Sequence, residues 1–252
     1  LLDIFMKIVG VPRVNGLGNV GSEKMAGKVL GEFGVEYNGI EVENEDIAED
    51  EEKIYLGAKE IFVDDEKVVF VGGDHSISYP IFRAFKEKNE DAFLIVFDAH
   101  ADCMPTMKEP THEEWLRAVV ENCRLSGDRI ILVGARKIED VERKFLVKNR
   151  IKVFGEINDL EAVGDYITER ANGADVYVSV DVDVLDPAFA PAVNYPEVNG
   201  LSSRELFYLL RRIFCIKSLR AIDVVEVVPS KDEKYDYRTV KVAAKIVEEF
   251  FR

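Results

Sequence analysis

Seven short β-branched or apolar runs, separated by amphipathic segments of about 10 to 15 residues, predict an α/β fold. The expected architecture is a three-layer αβα sandwich with a mostly parallel central sheet. Two further observations agree. The 252 residues are 47% hydrophobic, enough for one large core, and polar residues gather where the runs end, where open parallel sheets bind ligands. With no low-complexity linker and no repeat of about 20 to 50 residues, residues 1–252 are expected to form a single domain.

Taken in order, the first strand is expected in "MKIVGVP". Behind it Gly16, Gly18 and Gly21 are spaced as G-x-G-x-x-G, a pattern found in dinucleotide-binding turns, although Pro12 and four intervening residues lengthen this one. The acidic stretch from Glu41 to Glu52 reads as a solvated loop and helix start. "KVVFVGG" is the second strand, and its Gly-Gly pair lets the backbone turn sharply or approach a ligand closely. The strands "AFLIVFDA", "RIILVGA", "IKVFG", "DVYVSVDVD" and "LRAIDVVEVV" follow. The helical segments are "ISYPIFRAFKEK", "HEEWLRAVVENC", "EDVERKFLVKN", "SRELFYLLRRIF" and the closing "YRTVKVAAKIVEEFF", each with apolar residues near i, i+3, i+4 and i+7.

A formal charge of −15 disfavours nucleic acid and anionic membrane surfaces as partners and favours a cationic substrate or a divalent metal. No apolar run approaches the roughly 18 residues of a spanning helix, and "LLDIFMK" lacks the features of a signal peptide, so a cytoplasmic location is expected. Cys103, Cys123 and Cys215 have no C-x-x-C spacing and read as reduced structural thiols. The absence of glutamine and the 32% charged residues resemble proteins of thermophiles.

Chemistry points to the strand ends. Asp98, His100 and Asp102 alternate, so they converge if the chain stays extended as it leaves the sheet; Ser179, Asp181 and Asp183 repeat the pattern. His75 follows the Gly-Gly pair. An aspartate at a strand end is often only a turn former or helix cap. Four carboxylates in one crevice, however, repel one another unless cations are present, and His75 and His100 supply neutral nitrogens suited to a metal shell. Oxygen and nitrogen ligands without thiolate favour a hard or borderline metal such as manganese. The remaining histidine, His112, lies in a loop, either as an exposed neighbour of a helix start or as a mobile acid/base group over the metals.

The blocks "GGDHS", "DAHAD", "SVDVDVLDPAFAP" and "AIDVVEVVP", in that order from Gly72 to Pro229, resemble the signatures of the ureohydrolases, the arginase and agmatinase family. The resemblance implies that His75, Asp98, His100, Asp102, Asp181 and Asp183 bind two Mn²⁺ ions, with Asp98 and Asp181 bridging. It implies a catalytic set of His112 as proton shuttle, Glu226 as holder of the substrate guanidinium, and Asp102. The expected reaction is hydrolysis of a guanidino compound of agmatine or arginine type to urea and an amine. Two metals about 3.5 to 4 Å apart generate hydroxide near neutral pH for attack on the poorly electrophilic guanidinium carbon. Family relatives assemble as trimers or hexamers, so a homo-oligomer is expected.

Two stretches depart from the family pattern. The turn after "LDPAFAP" is glycine- and threonine-rich in relatives and here reads "AVNYPEVNG", with Tyr195 where threonine is common. Thr106, Lys108 and Thr111 stand where arginases keep carboxylate-binding asparagine and serine, and Glu139 lies near an aspartate that arginases use for the α-amino end. Glu226, Glu139 and Tyr195 are therefore the candidate substrate contacts. Glu109, Glu113 and Glu114 tilt the reading toward a decarboxylated guanidine such as agmatine, while Lys108 and Arg117 keep a guanidino acid in play. Three rivals remain: a formiminoglutamase-like amidine hydrolase, a non-catalytic metal-binding family member, and an NAD(P)-dependent oxidoreductase.

Overall fold

Strands β1 (Lys7–Val11), β2 (Val68–Gly72), β3 (Ala92–Phe97), β4 (Ile130–Val133), β5 (Lys152–Phe154), β6 (Asp175–Asp181) and β7 (Leu219–Val225) match the seven predicted runs. They pair in the order β1-β2-β7-β6-β3-β4-β5, and every pairing is parallel. The computed structural model describes residues 7–15, 20–34, 39–64 and 66–252.

Helices cover both faces, as parallel strands joined by crossovers require. They are α1 (Met25–Gly31), α2 (Ile47–Ile61), α3 (Ser78–Lys88), α4 (Trp115–Glu121), α5 (Asp140–Asn149), α6 (Leu160–Arg170), α7 (Ser203–Phe214), α8 (Pro229–Asp232) and α9 (Arg238–Phe250). Strand alternation sorts the interior into two cores. Phe93, Ile95 and Phe97 of β3 join α1, α6, α7 and α9 on one face, whereas Leu94 and Val96 join α2, α3, α4 and α5 on the other. The result is a three-layer sandwich.

Side-chain caps fix several helix starts. Asp46 Oδ1 accepts from the Ala48 and Glu49 amides at α2, and Ser202 and Glu205 exchange hydrogen bonds at α7; such caps contribute about 1 kcal/mol each. Helix α2 grows out of the acidic stretch through a buried stripe of Ile54, Tyr55 and Ala58.

The expected role of the Gly-Gly pair is half right. Gly73 approaches protein backbone rather than ligand: a Cβ there would lie 1.9 Å from the Arg13 carbonyl oxygen. Its amide donates to Val11 O and its carbonyl accepts from the Glu226 amide, so it locks together the exits of β1, β2 and β7. Of the G-x-G-x-x-G residues, Gly16 and Gly18 lie outside the described residues. Gly21, at φ 97°, precedes a short 3₁₀ turn past edge strand β1, away from the central crevice where a dinucleotide turn belongs.

Candidate metal centre

Four adjacent strands, β2, β7, β6 and β3, release the chemically active residues at their carboxyl ends. His75 leaves β2 in a 3₁₀ turn over His75–Ile77, capped by Asp74, whose Oδ1 accepts from the Ser76 amide. Glu226 follows β7 directly. Asp181 ends β6, and Asp98 follows β3.

The extended-chain explanation of the ligand rows needs correction. Asp102 has φ 48°, so the chain has turned into the left-handed region before it. Asp183 sits in a 3₁₀ turn whose start is capped by Asp181 Oδ1, which accepts from the Asp183 amide at 2.8 Å. Turns, not strand parity, therefore aim Asp102 and Asp183 at the crevice. Ser179, the third residue of that row, takes a supporting place.

The six residues converge nonetheless. His75 Nδ1 lies 3.1 Å from Asp98 Oδ2, 3.1 Å from Asp102 Oδ2 and 3.2 Å from Asp181 Oδ2. His100 Nδ1 lies 2.9 Å from Asp183 Oδ2 and 3.5 Å from Asp98 Oδ1. Asp98 thus faces both groups with different oxygens. Asp181 faces the His75 group with Oδ2 and spends Oδ1 on the Asp183 amide.

Hydrogen bonding around His75 fits a metal ligand. Ser179 Oγ donates to Asp223 Oδ1 at 2.6 Å, which uses its only proton, so at 2.8 Å it accepts from His75 Nε2–H. Tyr177 OH donates to the other Asp223 oxygen at 2.7 Å. This network assigns the His75 proton to Nε2 and leaves the Nδ1 lone pair toward the carboxylates. Among the described residues, buried His75 Nδ1 and Asp98 Oδ2 have no hydrogen-bond partner. Two orphaned buried ligand atoms facing each other suit a cation.

Electrostatics say the same. Burial and the charge of Asp98 push the Asp102 carboxyl up to about 8. Burial, then Asp183 and Asp98, raise Asp181 well above the usual carboxylate range, and Asp183 is raised by burial and Asp98. Burial also works against Asp98, whose carboxyl is held low where His100 and His75 carry charge beside it; with His75 Nδ1 unprotonated, that charge has to come from a cation. Added positive charge is what would keep all four ionised.

A cavity of about 430 Å³ opens above this cluster. Glu226 lines it at φ 72°; its Oε1 accepts from the His75 amide at 2.9 Å, and burial together with Asp74 lifts its carboxyl well above the usual range. His112 also lines it. Rather than being exposed, His112 is buried, with its ring stacked on Tyr195 at 5.3 Å and 18°. Its Nδ1 has no hydrogen-bond partner among the described residues, and burial lowers its pKa. Glu139 reaches the rim, where it pairs with Lys137 at 3.1 Å and precedes α5; its own amide donates to Glu142 Oε2.

Three residues of the site are not marked by the sequence patterns. Glu197 lines the cavity with Oε1 3.8 Å from His100 Nε2, in the altered turn. Arg136 ties that turn down, donating to the carbonyls of Glu197 and Val198 and to those of Gly134, Asp183, Val184 and Leu185. Trp115 Nε1–H donates to Asp102 Oδ2 at 2.8 Å. Their signals were present as an acid in the divergent turn, an arginine closing a strand, and the sole tryptophan three residues past His112.

The sequence model of the arginase family matches residues 19–252. Guanidinobutyrase of Pseudomonas aeruginosa is 34% identical over 170 residues, covering 64% of this chain and 53% of the relative. N(1)-aminopropylagmatine ureohydrolase of Thermus thermophilus is 33% identical over 171 residues, covering 65% and 55%. The matched chain thus spans little more than half the length of these curated relatives. The crystal structure of arginase from Bacillus subtilis superposes with a TM-score of 0.87 over 98% of both chains at 22% identity, which establishes a shared fold.

Proposed function

The chain belongs to the arginase family, and from that premise we propose that it is a binuclear manganese hydrolase cleaving a cationic guanidino compound to urea and an amine. The observation that carries the reading is the pair of ligand groups sharing Asp98 beneath Glu226. His75, Asp98, Asp102 and Asp181 would hold one Mn²⁺, and His100, Asp98 and Asp183 the other. Two bound divalent ions would acidify a water molecule and offset the carboxylate charge.

The chain's own residues supply the rest. Glu226 pairs with the guanidinium, and an acid kept protonated by burial gains most from a cation that restores its ionisation. Fixing that cation above the ligand cluster holds its carbon in position for attack. His112, neutral at pH 7, accepts a proton and returns it to the departing nitrogen, while Tyr195 shields its ring from water.

Rim charge supports a substrate whose far end is an amine. Glu113, Glu139 and Glu197 face the cavity, whose one lining lysine, among the described residues, is Lys137, already paired with Glu139. A distal carboxylate would meet repulsion there. The names of the two relatives above, neither of them an arginase, agree with a substrate other than arginine. We further take residues 1–252 as one catalytic unit that assembles as a homo-oligomer in the cytoplasm. Three free cysteines suit a reducing compartment, and no helix among the described residues is long and apolar enough to cross a membrane.

The test is a substrate panel. Mn²⁺-loaded protein is incubated with agmatine, guanidinobutyrate, arginine and formiminoglutamate, and urea or formamide is quantified. Urea from agmatine above the others is expected; formamide would select the amidine hydrolase, and no product from any substrate would select the non-catalytic alternative. Asp181→Ala and Asp183→Ala together should abolish turnover and most Mn²⁺ binding.

A further inference from the structure

Asp102 differs from the other acids of the cluster in how its carboxylate is held. Asp98 Oδ1 accepts from the His100 amide at 2.7 Å, Asp181 Oδ1 from the Asp183 amide at 2.8 Å, and Asp183 Oδ1 from the Ala99 amide at 3.0 Å. Backbone fixes those three. Asp102 is held by a side chain, the indole of Trp115, at 2.8 Å.

That indole is placed to act on the ligand group as a whole. Trp115 is fully buried at the start of α4, and its ring centre lies 4.5 Å from that of His75 at 36°. Asp102 itself has a left-handed backbone, a conformation of higher energy that needs local support. Support comes from the same helix and the turn before it: the Arg117 amide donates to Asp102 O at 3.3 Å, and the Met104 amide to Glu113 O at 3.1 Å. The loop from Asp102 back to His112 is therefore closed on both sides of Trp115.

We propose that Trp115 is a positioning residue: its N–H orients the Asp102 carboxylate toward His75 and so sets the affinity of one of the two metal positions. Its ring, the only indole in the chain, reports occupancy of that position. The proposal rests on the two-metal reading above. Partners of this kind change metal affinity by about 10- to 100-fold when removed, and an indole N–H has no second role as acceptor that would blur the result.

The experiment is a two-site Mn²⁺ titration by calorimetry, with tryptophan fluorescence followed in the unaltered protein. The variants are Trp115→Phe and protein in which benzothienylalanine replaces the single tryptophan. The second keeps the ring shape and deletes only the N–H, so it decides the matter if the cavity left by phenylalanine prevents folding. Expected is a loss of about 10- to 100-fold at one site, the other site unchanged, and a fluorescence change that tracks filling of the sensitive site. Two unchanged sites in the analogue, or equal weakening of both, would overturn the role of Trp115 while leaving the metal reading intact. Fewer than two Mn²⁺ in the unaltered protein would overturn the metal reading and the proposal with it.

Discussion

His112 shows how much a single side chain's setting adds to its identity. Burial lowers its pKa below the ordinary histidine value of 6.5, the direction that the proposed proton acceptor needs at neutral pH. The sign follows: activity carried by a neutral acceptor is lost as pH falls through that lowered pKa, and the acid limb of the kcat profile should therefore lie below 6.5. His112→Ala should lower kcat by about 10² to 10⁴-fold and erase that limb, with two Mn²⁺ still bound. Steady-state kinetics across pH and metal analysis check this, and parallel loss of metal and rate would make His112 a ligand or folding residue instead. At this scale the sequence was most legible where residue type limits chemistry. The six proposed ligands stand out because buried acids and histidines are costly without partners, whereas Glu226 was marked only by the family resemblance. Trp115 did not, because an indole in an amphipathic helix reads as core, and its N–H acquires meaning only once Asp102 is seen beside it.

At the scale of elements, all seven strands were legible from β-branched runs, and the strand order, in which β7 and β6 lie between β2 and β3, places four of their carboxyl ends together. Helices α1, α2 and α6 were less legible. Gly27 and Gly31 weaken the helical signal of α1, which persists because Met25, Ala26, Val29 and Leu30 are buried. The turns that aim Asp102 and Asp183 were not legible, since a left-handed residue and a three-residue 3₁₀ segment leave no period in the sequence. The divergent turn is a further case, held by one guanidinium that spans six carbonyls from Gly134 to Val198. A lysine cannot reproduce that fork. Arg136→Lys should therefore raise KM for the guanidino substrate about tenfold, corresponding to about 1.4 kcal/mol, while Mn²⁺ stoichiometry stays at two. An unchanged KM would mean that the turn carrying Tyr195 and Glu197 does not shape the substrate mouth.

For the whole molecule, the formal charge of −15 and the acidic crevice pull in the same direction. Asp98, Asp102, Asp181 and Asp183 are buried at the junction of β3 and β6 with the two cores on either side, so their repulsion is borne by the central sheet itself. Ions bound there would stabilise the folded chain by mass action, because the unfolded chain gathers no such site. With free Mn²⁺ at about 100 times its Kd the gain is about 2.7 kcal/mol per site. A chain of this size shifts its Tm by about 2 to 4 °C per kcal/mol, so chelation should lower Tm by roughly 5 to 10 °C for each site emptied. In Asp181→Ala, which breaks the His75 group and leaves the His100 group, the shift should fall to that of one site, and Mg²⁺ should restore less of it than Mn²⁺ because the histidine nitrogens suit the softer ion. Differential scanning calorimetry with and without EDTA measures both effects. A Tm indifferent to chelation would mean that the sheet carries these four acids without cations, which the orphaned His75 Nδ1 and Asp98 Oδ2 argue against.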